Sequence, residues 1–548
     1  MNYNNAKILA VIPARGGSKG IPRKNVRLMN RKPLISYSIE NALSCKSITD
    51  IVVTTDDEEI ISIAKLYDID YIVRDARLAD DLTTLDPVIY DAVIKMEEQN
   101  KMIYDVVITL QPTSPLLKPD TLNRAIESFI NDDKDSYISA VNDPHLTWSK
   151  EGKSYVPNYE KRVNRQLLPP TYLETGSFFI SSRKCVTLES RLGKNPSIFE
   201  VPKEESTDID SANDWIVCEH SLKKKRIVFR ADGYKELGMG HIYHCLTLAY
   251  NLTGHEVMFV TKEQYTEGVK KIQDSFMPYV LIKSDDDFYS FLKNWRADVV
   301  VNDCLNTEKS YVLKLKELTK RVITIEDLGN GAEYADAVIN ALYNDDTSPD
   351  NYFFGEKYVC LRDEFLTNKP KPFSRIVKNV LVIFGGTDPS NLTLKIYEFA
   401  LKMHKLYPNV TFNFITGSGY DVNANDLKTI EEKNIYVLSD VKRISEYMKI
   451  ADLAFTSQGR TVYELATLGV PSIVLAQNER EQLHTFAQMQ NGFLNLGLGK
   501  DISLKTLEST FEWLVGTEQV RNEMRELMLK HDLKKGINNV IRIILKED

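Results

Sequence analysis

The chain predicts an α/β protein of several doubly wound bodies, on three observations. Short apolar runs recur along its length and read as buried parallel strands. Stretches with helical periodicity alternate with them, and glycine-bearing loops follow directly on three of the runs. Strands alternating with helices imply mostly parallel sheets covered on both faces, where ligands sit beyond the C-terminal ends of the strands. At 548 residues the chain is too long for one core. Three domains are expected, at 1–222, 223–372 and 373–548.

The first run, Ile8-Leu9-Ala10-Val11-Ile12, ends at Pro13 and opens into Arg15-Gly16-Gly17-Ser18-Lys19-Gly20, followed by Arg23-Lys24-Asn25. Glycines bring backbone N–H groups close to a polyanion, and the cations balance its charge. The loop lacks the GxxxxGK[ST] pattern but has the outline of a triphosphate site. Further strands are expected at 51–54, 104–110 and 137–141. Between them Ile35, Ile39, Ala42 and Leu43 share one helix face, and Ile60, Ala64 and Tyr67 another.

Gln111-Pro112-Thr113-Ser114-Pro115 stands behind the strand ending at Leu110; its two prolines fix a loop that leaves Gln and two hydroxyls for a ligand or a rigid turn. Arg165-Gln166 precedes Glu174-Thr175-Gly176-Ser177. In Thr207-Asp208-Ile209-Asp210, carboxylates two apart on extended chain face one side, where they can hold a divalent cation.

These motifs, in this order, resemble the cytidylyltransferases that activate nonulosonic acids, the CMP-sialic acid synthetase group. The resemblance implies a GT-A-like, Rossmann-like nucleotidyltransferase domain using CTP and Mg²⁺. Its CTP site would comprise Arg15, Gly16, Gly17, Ser18, Lys19, Lys24 and Asn25, with Arg15, Lys24 and Asp210 acting in catalysis. Gln111 and Arg165 would hold the acid sugar, and Asp208 and Asp210 the metal. A homodimer through this domain is also implied. Two positions depart from the family pattern: Thr175 stands where Asn is usual, and Asn142–Trp148 lacks a lysine. Both bear on which acid is used rather than on the reaction.

After Lys223–Arg226 a fresh strand, Ile227-Val228-Phe229, leads into Arg230-Ala231-Asp232-Gly233 and Leu237-Gly238-Met239-Gly240-His241. A helix follows, with Ile242, Cys245, Leu246 and Ala249 on one face. His241 stands at its start, where a backbone N-terminus favours an anion; His244, one turn on, reads as structural. More strands are expected at 257–261, 298–301 and 322–325. Lys378–Phe384 then runs into Gly385-Gly386-Thr387-Asp388, and Ala451–Phe455 into Thr456-Ser457-Gln458-Gly459-Arg460 and a helix bearing Glu464. A glycine loop, a helix N-terminus and an in-line carboxylate make a nucleotide site.

Residues 226–548 thus look like a GT-B pair of Rossmann-like halves. RADGYKELGMGH, FGGTDPSNLT and GRTVYELATLGVPSIVLAQNEREQ resemble the UDP-diacetamido-trideoxy-sugar hydrolases of pseudaminic acid synthesis. That resemblance implies a catalytic His241 and a UDP-sugar site including Gly240, Gly386, Ser457, Glu464 and Gln482. Such hydrolases tend to carry an Asp-His-Tyr-like tripeptide after the strand at 298–301; Asn302-Asp303-Cys304 stands here. A glycosyltransferase and a non-catalytic sugar-nucleotide binder therefore remain alternatives for this part.

A net charge of −8 argues against a nucleic-acid binder. The first apolar run is too short for a signal peptide or membrane span. Six cysteines without CxxC spacing fit a reducing cytoplasm and no structural zinc.

Overall fold

The computed structural model describes residues 6–17, 20–78, 83–234, 238–344, 349–417, 419–422, 427–439 and 441–546. The chain forms two compact units, Met1–Lys224 and Lys225–Asp548.

In the first unit Ile8–Pro13 is buried at every residue. Its two faces serve two cores. Ile8, Ala10 and Ile12 pack with Ile35 and Ile39 of the helix Leu34–Ser44, while Leu9 and Val11 pack with Ile89 and Val93 of the helix Leu85–Asn100. Leu43 lies off its expected face, half exposed. The strand is thus buried on both sides, which explains its unbroken apolar sequence. It pairs in parallel with Asp50–Thr55 on one side and Val106–Leu110 on the other. The sheet has seven strands, in the order Pro196–Glu200, Ser136–Asn142, Tyr172–Ser182, Val106–Leu110, Ile8–Pro13, Asp50–Thr55, Asp70–Val73. Tyr172–Ser182 runs antiparallel to both neighbours, and its pairing with Ser136–Asn142 is interrupted between Glu174 and Phe179. That irregularity contains Thr175-Gly176 and turns the backbone there toward the ends of the central strands.

The second unit holds two all-parallel sheets. The first has the order Tyr279–Ile282, Glu256–Lys262, Arg226–Ala231, Val299–Asp303, Arg321–Ile325, Ala337–Asn340, Tyr352–Phe354. The second runs Ile435–Ser439, Thr411–Thr416, Asn379–Ile383, Leu453–Thr456, Ser472–Ala476, Phe493–Leu498. In each, the first strand in sequence lies between its second and fourth, so strand order reverses there and a crevice opens at the carboxyl ends. The last helix, Gly536–Leu545, returns to the first of these sheets: Ile537, Val540 and Ile544 pack in one core with Ile227, Phe229 and Val299. No helix among the described residues is long and apolar enough to cross a membrane.

Candidate functional sites

In the first unit the glycine-basic loop leaves Ile8–Pro13 at the reversal of strand order. Its Gly16 N–H donates to Asp56 Oδ1 at 3.0 Å, and the Asn25 side-chain amide closes the loop by donating to the Arg15 carbonyl at 3.0 Å. Arg15 is partly buried; Gly17 is exposed, and Ser18 and Lys19 lie outside the described residues. At Gly20 a Cβ would stand 2.5 Å from the Asp210 carbonyl, so only glycine permits this approach of the loop to the acidic segment. Lys24 ties the same two segments: its ammonium donates to the Ile209 carbonyl at 2.5 Å and lies 3.9 Å from Asp210 Oδ1.

Ile209 is fully buried between the two aspartates. The Asp210 side chain is 84% exposed. Asp208 turns inward, and burial pushes its carboxyl above the usual range. Its Oδ1 is buried without a hydrogen-bond partner among the described residues. Asp208 Oδ2 and Gln111 Nε2 face Gly176, at 3.2 and 3.3 Å from where a Cβ would stand. The Ile209 N–H donates to the Thr113 carbonyl at 2.9 Å, so the QPTSP loop is stitched to the acids. Loop, acids and Gln111 therefore converge on one place. An unsatisfied buried carboxylate oxygen beside an exposed second carboxylate fits a divalent cation, whose other oxygen ligands would have to come from a bound ligand or water.

Arg165 makes no hydrogen bond or ion pair with these residues among the described ones. It pairs with Asp143, which also binds Lys203 and, at 3.0 Å, His145. Lys203 thus brings a lysine beside the stretch that lacks one. Thr175 points into the sheet, its Oγ1 2.9 Å from Ser139 Oγ and 3.0 Å from Ser177 Oγ. Arg74 belongs to none of the sequence motifs. It is buried at the end of Asp70–Val73, donates to the Thr54 carbonyl at 2.7 Å, and feels the charges of Asp56 and Arg15. An arginine directly behind an apolar run was the available signal.

In the second unit the helix Gly240–Tyr250 starts beyond Arg226–Ala231, and the neighbouring strand ends at Asp303, the register partner of Ala231. The fully buried Asp303 carboxylate is shared by two imidazoles: His241 Nδ1 lies 2.5 Å from Oδ1 and His244 Nδ1 3.0 Å from Oδ2. Burial would raise the Asp303 pKa, but the two histidines outweigh it and hold the carboxyl far below its ordinary range. For His241, burial pulls downward and Asp303 more than restores it, leaving the imidazole above its usual value. For His244, burial aided by Arg460 prevails over Asp303 and leaves it below.

A cleft of about 1210 Å³, counting its open mouth, adjoins this cluster. Gly240, His244, Gly386, Arg460 and Glu464 line it. Arg460 pairs with Glu326 at 2.9 Å, and Arg362 with both Glu464 at 2.9 Å and Glu364 at 3.2 Å, so the wall cations are paired with carboxylates. His241, Ser457 and Gln482 are not among its lining residues: His241 and Ser457 are buried and Gln482 is exposed. Glu481, one position before Gln482, accepts backbone N–H bonds from Gln458 at 3.3 Å and Gln477 at 2.8 Å, while burial pushes its carboxyl up to about 6. It therefore braces the loop that carries Ser457.

Residues 9–215 match the protein family described as Cytidylyltransferase. An uncharacterized protein of Methanocaldococcus jannaschii is 34% identical over 278 residues, 47% of this chain and 57% of that one. The chain thus spans little more than half of that relative's length. A protein of Helicobacter pylori named "Pseudaminic acid cytidylyltransferase and UDP-2,4-diacetamido-2,4,6-trideoxy-beta-L-altropyranose hydrolase" is 24% identical over 535 residues, 92% of this chain and 94% of its own. The pseudaminic acid cytidylyltransferase of Campylobacter jejuni is 36% identical over 222 residues, which make up 38% of this chain and 93% of that protein. Since 93% of that Campylobacter enzyme is matched at 36% identity, and residues 9–215, which hold the glycine-basic loop and the acid pair, match the family, the chain belongs to the cytidylyltransferase family.

Proposed function

We propose that the chain is bifunctional. Its first unit transfers CMP from CTP to a nonulosonic acid with release of pyrophosphate, and its second hydrolyses a UDP-linked diacetamido-trideoxy sugar to UDP and free sugar. The observation that supports the first activity best is the joining of the glycine-basic loop to the acid pair through Gly20 and Lys24. A sugar hydroxyl must attack the α-phosphate while pyrophosphate departs, and such transfer is catalysed mainly by positioning and charge neutralisation. Arg15, Lys24 and the loop N–H groups hold the triphosphate. Asp208 and Asp210 would hold the magnesium ion, which supplies positive charge between nucleotide and acid sugar. Gln111, facing Gly176 beside Asp208, orients the sugar, and Arg165 receives its carboxylate.

In the second unit water displaces UDP from the anomeric carbon. UDP lies against Gly240, Gly386 and Glu464 along the cleft, near Ser457 and Gln482, while His241 and Asp303 form the acid–base centre. The two activities are steps of one acid-sugar route, carried out in the cytoplasm by a homodimer joined through the first unit.

Incubating the whole chain with Mg²⁺, CTP and a panel of nonulosonic acids, and separately with UDP-sugars, tests both assignments by mass spectrometry. A CMP-linked acid and free UDP are expected. CTP consumed without a CMP-sugar for any acid would refute the first activity. UDP released only when an acceptor alcohol is present would turn the second unit into a transferase.

A further inference from the structure

Taking the second unit as a UDP-sugar hydrolase, we propose that Glu326 is a positioning residue, the anchor by which two arginines hold the nucleotide cleft in register with His241. Glu326 is buried just past the strand Arg321–Ile325 and has a φ of 51°. Leu305, two residues past Asp303 on the neighbouring strand, has a φ of 62°. Residues with side chains seldom enter this left-handed region, and they keep it only where their surroundings enforce it. Here the two turns are fastened to each other. The Asp327 carboxylate accepts from the Thr307 N–H at 2.9 Å, the Thr307 hydroxyl at 2.6 Å and the Gly329 N–H at 2.8 Å. A Cβ on Gly329 would stand 2.2 Å from the Thr307 carbonyl oxygen, so the turns meet backbone to backbone. Together they form one platform.

Two arginines from around the second sheet of the unit reach this platform. Arg460, at the head of the helix Thr461–Leu468, pairs with the Glu326 carboxylate at 2.9 Å. Arg480, in the short helix Glu479–Gln482, donates Nη2 to the Glu326 carbonyl at 3.0 Å and Nη1 to Asn306 Oδ1 at 3.2 Å. Glu326 thus offers its carboxylate to one arginine and its carbonyl to the other. A forked guanidinium suits the second contact, since it meets two acceptors at once.

Both ends of the clamp continue into the reaction site. Asn306 lies three residues after Asp303, whose carboxylate holds His241. Arg460 lies three residues after Ser457 and four before Glu464. The platform therefore ties the carboxylate that orients the imidazole to the loop and helix that flank the nucleotide. Glu326 does not line the cleft whereas Arg460 does, so its action on the reaction passes through the arginine. A base carried by one Rossmann-like half must meet water beside a sugar held by the other, and a misplacement of about 1 Å there can cost about 10²-fold in rate.

Arg480→Met removes one arm at a half-buried position. In the whole chain it is expected to cut kcat for UDP release by about 10-fold, leaving the calorimetric Kd for UDP within about threefold, because Gly386 and Glu464 keep their places. Glu326→Gln, which keeps the backbone carbonyl and loses the charge, should do the same. Since both act through one clamp, the double variant should fall no more than about threefold below the worse single one. Multiplied losses of about 10²-fold would mean two independent effects and overturn the proposal. So would an unchanged kcat in Arg480→Met, or a fall there that tracks a lowered melting temperature. Hydrogen exchange read by mass spectrometry tests the clamp without turnover. Amides of 305–308, 326–331 and 458–463 should exchange about 10-fold faster in the double variant than in the parent chain. Unchanged exchange overturns the clamp whether or not a UDP-sugar is cleaved, whereas absence of any cleavage with faster exchange refutes the hydrolase reading and leaves the clamp standing.

Discussion

Asp210 in the first unit and Asp303 in the second each sit where a sheet reverses its strand order, yet they meet their surroundings in opposite ways. The Asp210 side chain is 84% exposed, with one ammonium 3.9 Å away. Asp303 is wholly enclosed, and each of its oxygens is already engaged by an imidazole. On the proposed reading the first site is a frame of charge that its ligands would complete, a triphosphate bringing the anion and a metal the cation. In the second the charged groups already hold one another, Arg460 with Glu326 and Arg362 with Glu464 and Glu364, so its ligand meets ion pairs formed in advance. A polyanionic substrate suits the first arrangement, and water attack on a sugar suits the second, where a dry and preorganised base is wanted.

That contrast breaks most sharply at the two aspartates. Asp210→Asn should lower CTP-dependent pyrophosphate release by about 10³-fold, because neutralising charge on the transferring phosphoryl group accounts for much of the rate of such reactions. UDP release should stay within twofold, and a coupled phosphate assay reads the first while chromatography of UDP reads the second. Asp303→Asn should do the reverse. Loss of the carboxylate leaves the imidazoles without their orienting charge, for a fall in UDP release of roughly 10²–10³-fold with cytidylyl transfer intact. Equal losses of both activities in either variant would mean that the two sites are not separate.

Stability changes sharpen the same comparison at smaller scale. Ile544 is fully buried against the first sheet of the second unit. Ile544→Ala should cost about 2–4 kcal/mol of that unit's stability, seen as a drop in its melting transition. The transition of the cytidylyltransferase unit should not move. Glu481 gives the smallest effect. Its carboxyl, pushed up to about 6 from an ordinary 4.5, holds its proton more tightly when folded. The resulting stability is therefore fully present below about pH 4.5 and is lost as pH rises through about 6. Glu481→Gln should flatten that slope by about 1–2 kcal/mol between pH 4.5 and 7, measured by urea unfolding against the parent chain.

The strands and their loops were readable because both faces of each central strand are covered. Ile8–Pro13, Asn379–Ile383 and Ser472–Ala476 are nearly continuous apolar runs, and glycines follow the first two at the carboxyl ends where ligands bind. Tyr172–Ser182 was less legible, since its first three residues are exposed and its direction depends on partners distant in sequence. The role of Asp303 was hidden for a similar reason. Read as a tripeptide, Asn302-Asp303-Cys304 is a departure from the hydrolase pattern, whereas in space its carboxylate holds His241 from 62 residues away. His244, read as structural, lines the cleft and shares Asp303 with His241, a placement that helical periodicity does not show. Thr175, taken as a sign of altered substrate choice, spends its hydroxyl on Ser139 and Ser177 inside the sheet.

Titration calorimetry of the whole chain with CTP and UDP, each with and without Mg²⁺, tests the separation of the two sites most directly. Two independent events are expected. CTP should bind only with Mg²⁺ and be lost in Asp210→Asn. UDP should bind equally with or without the metal and still bind a chain saturated with CTP. Competition between the nucleotides, or UDP binding that disappears with Mg²⁺ or in Asp210→Asn, would contradict it.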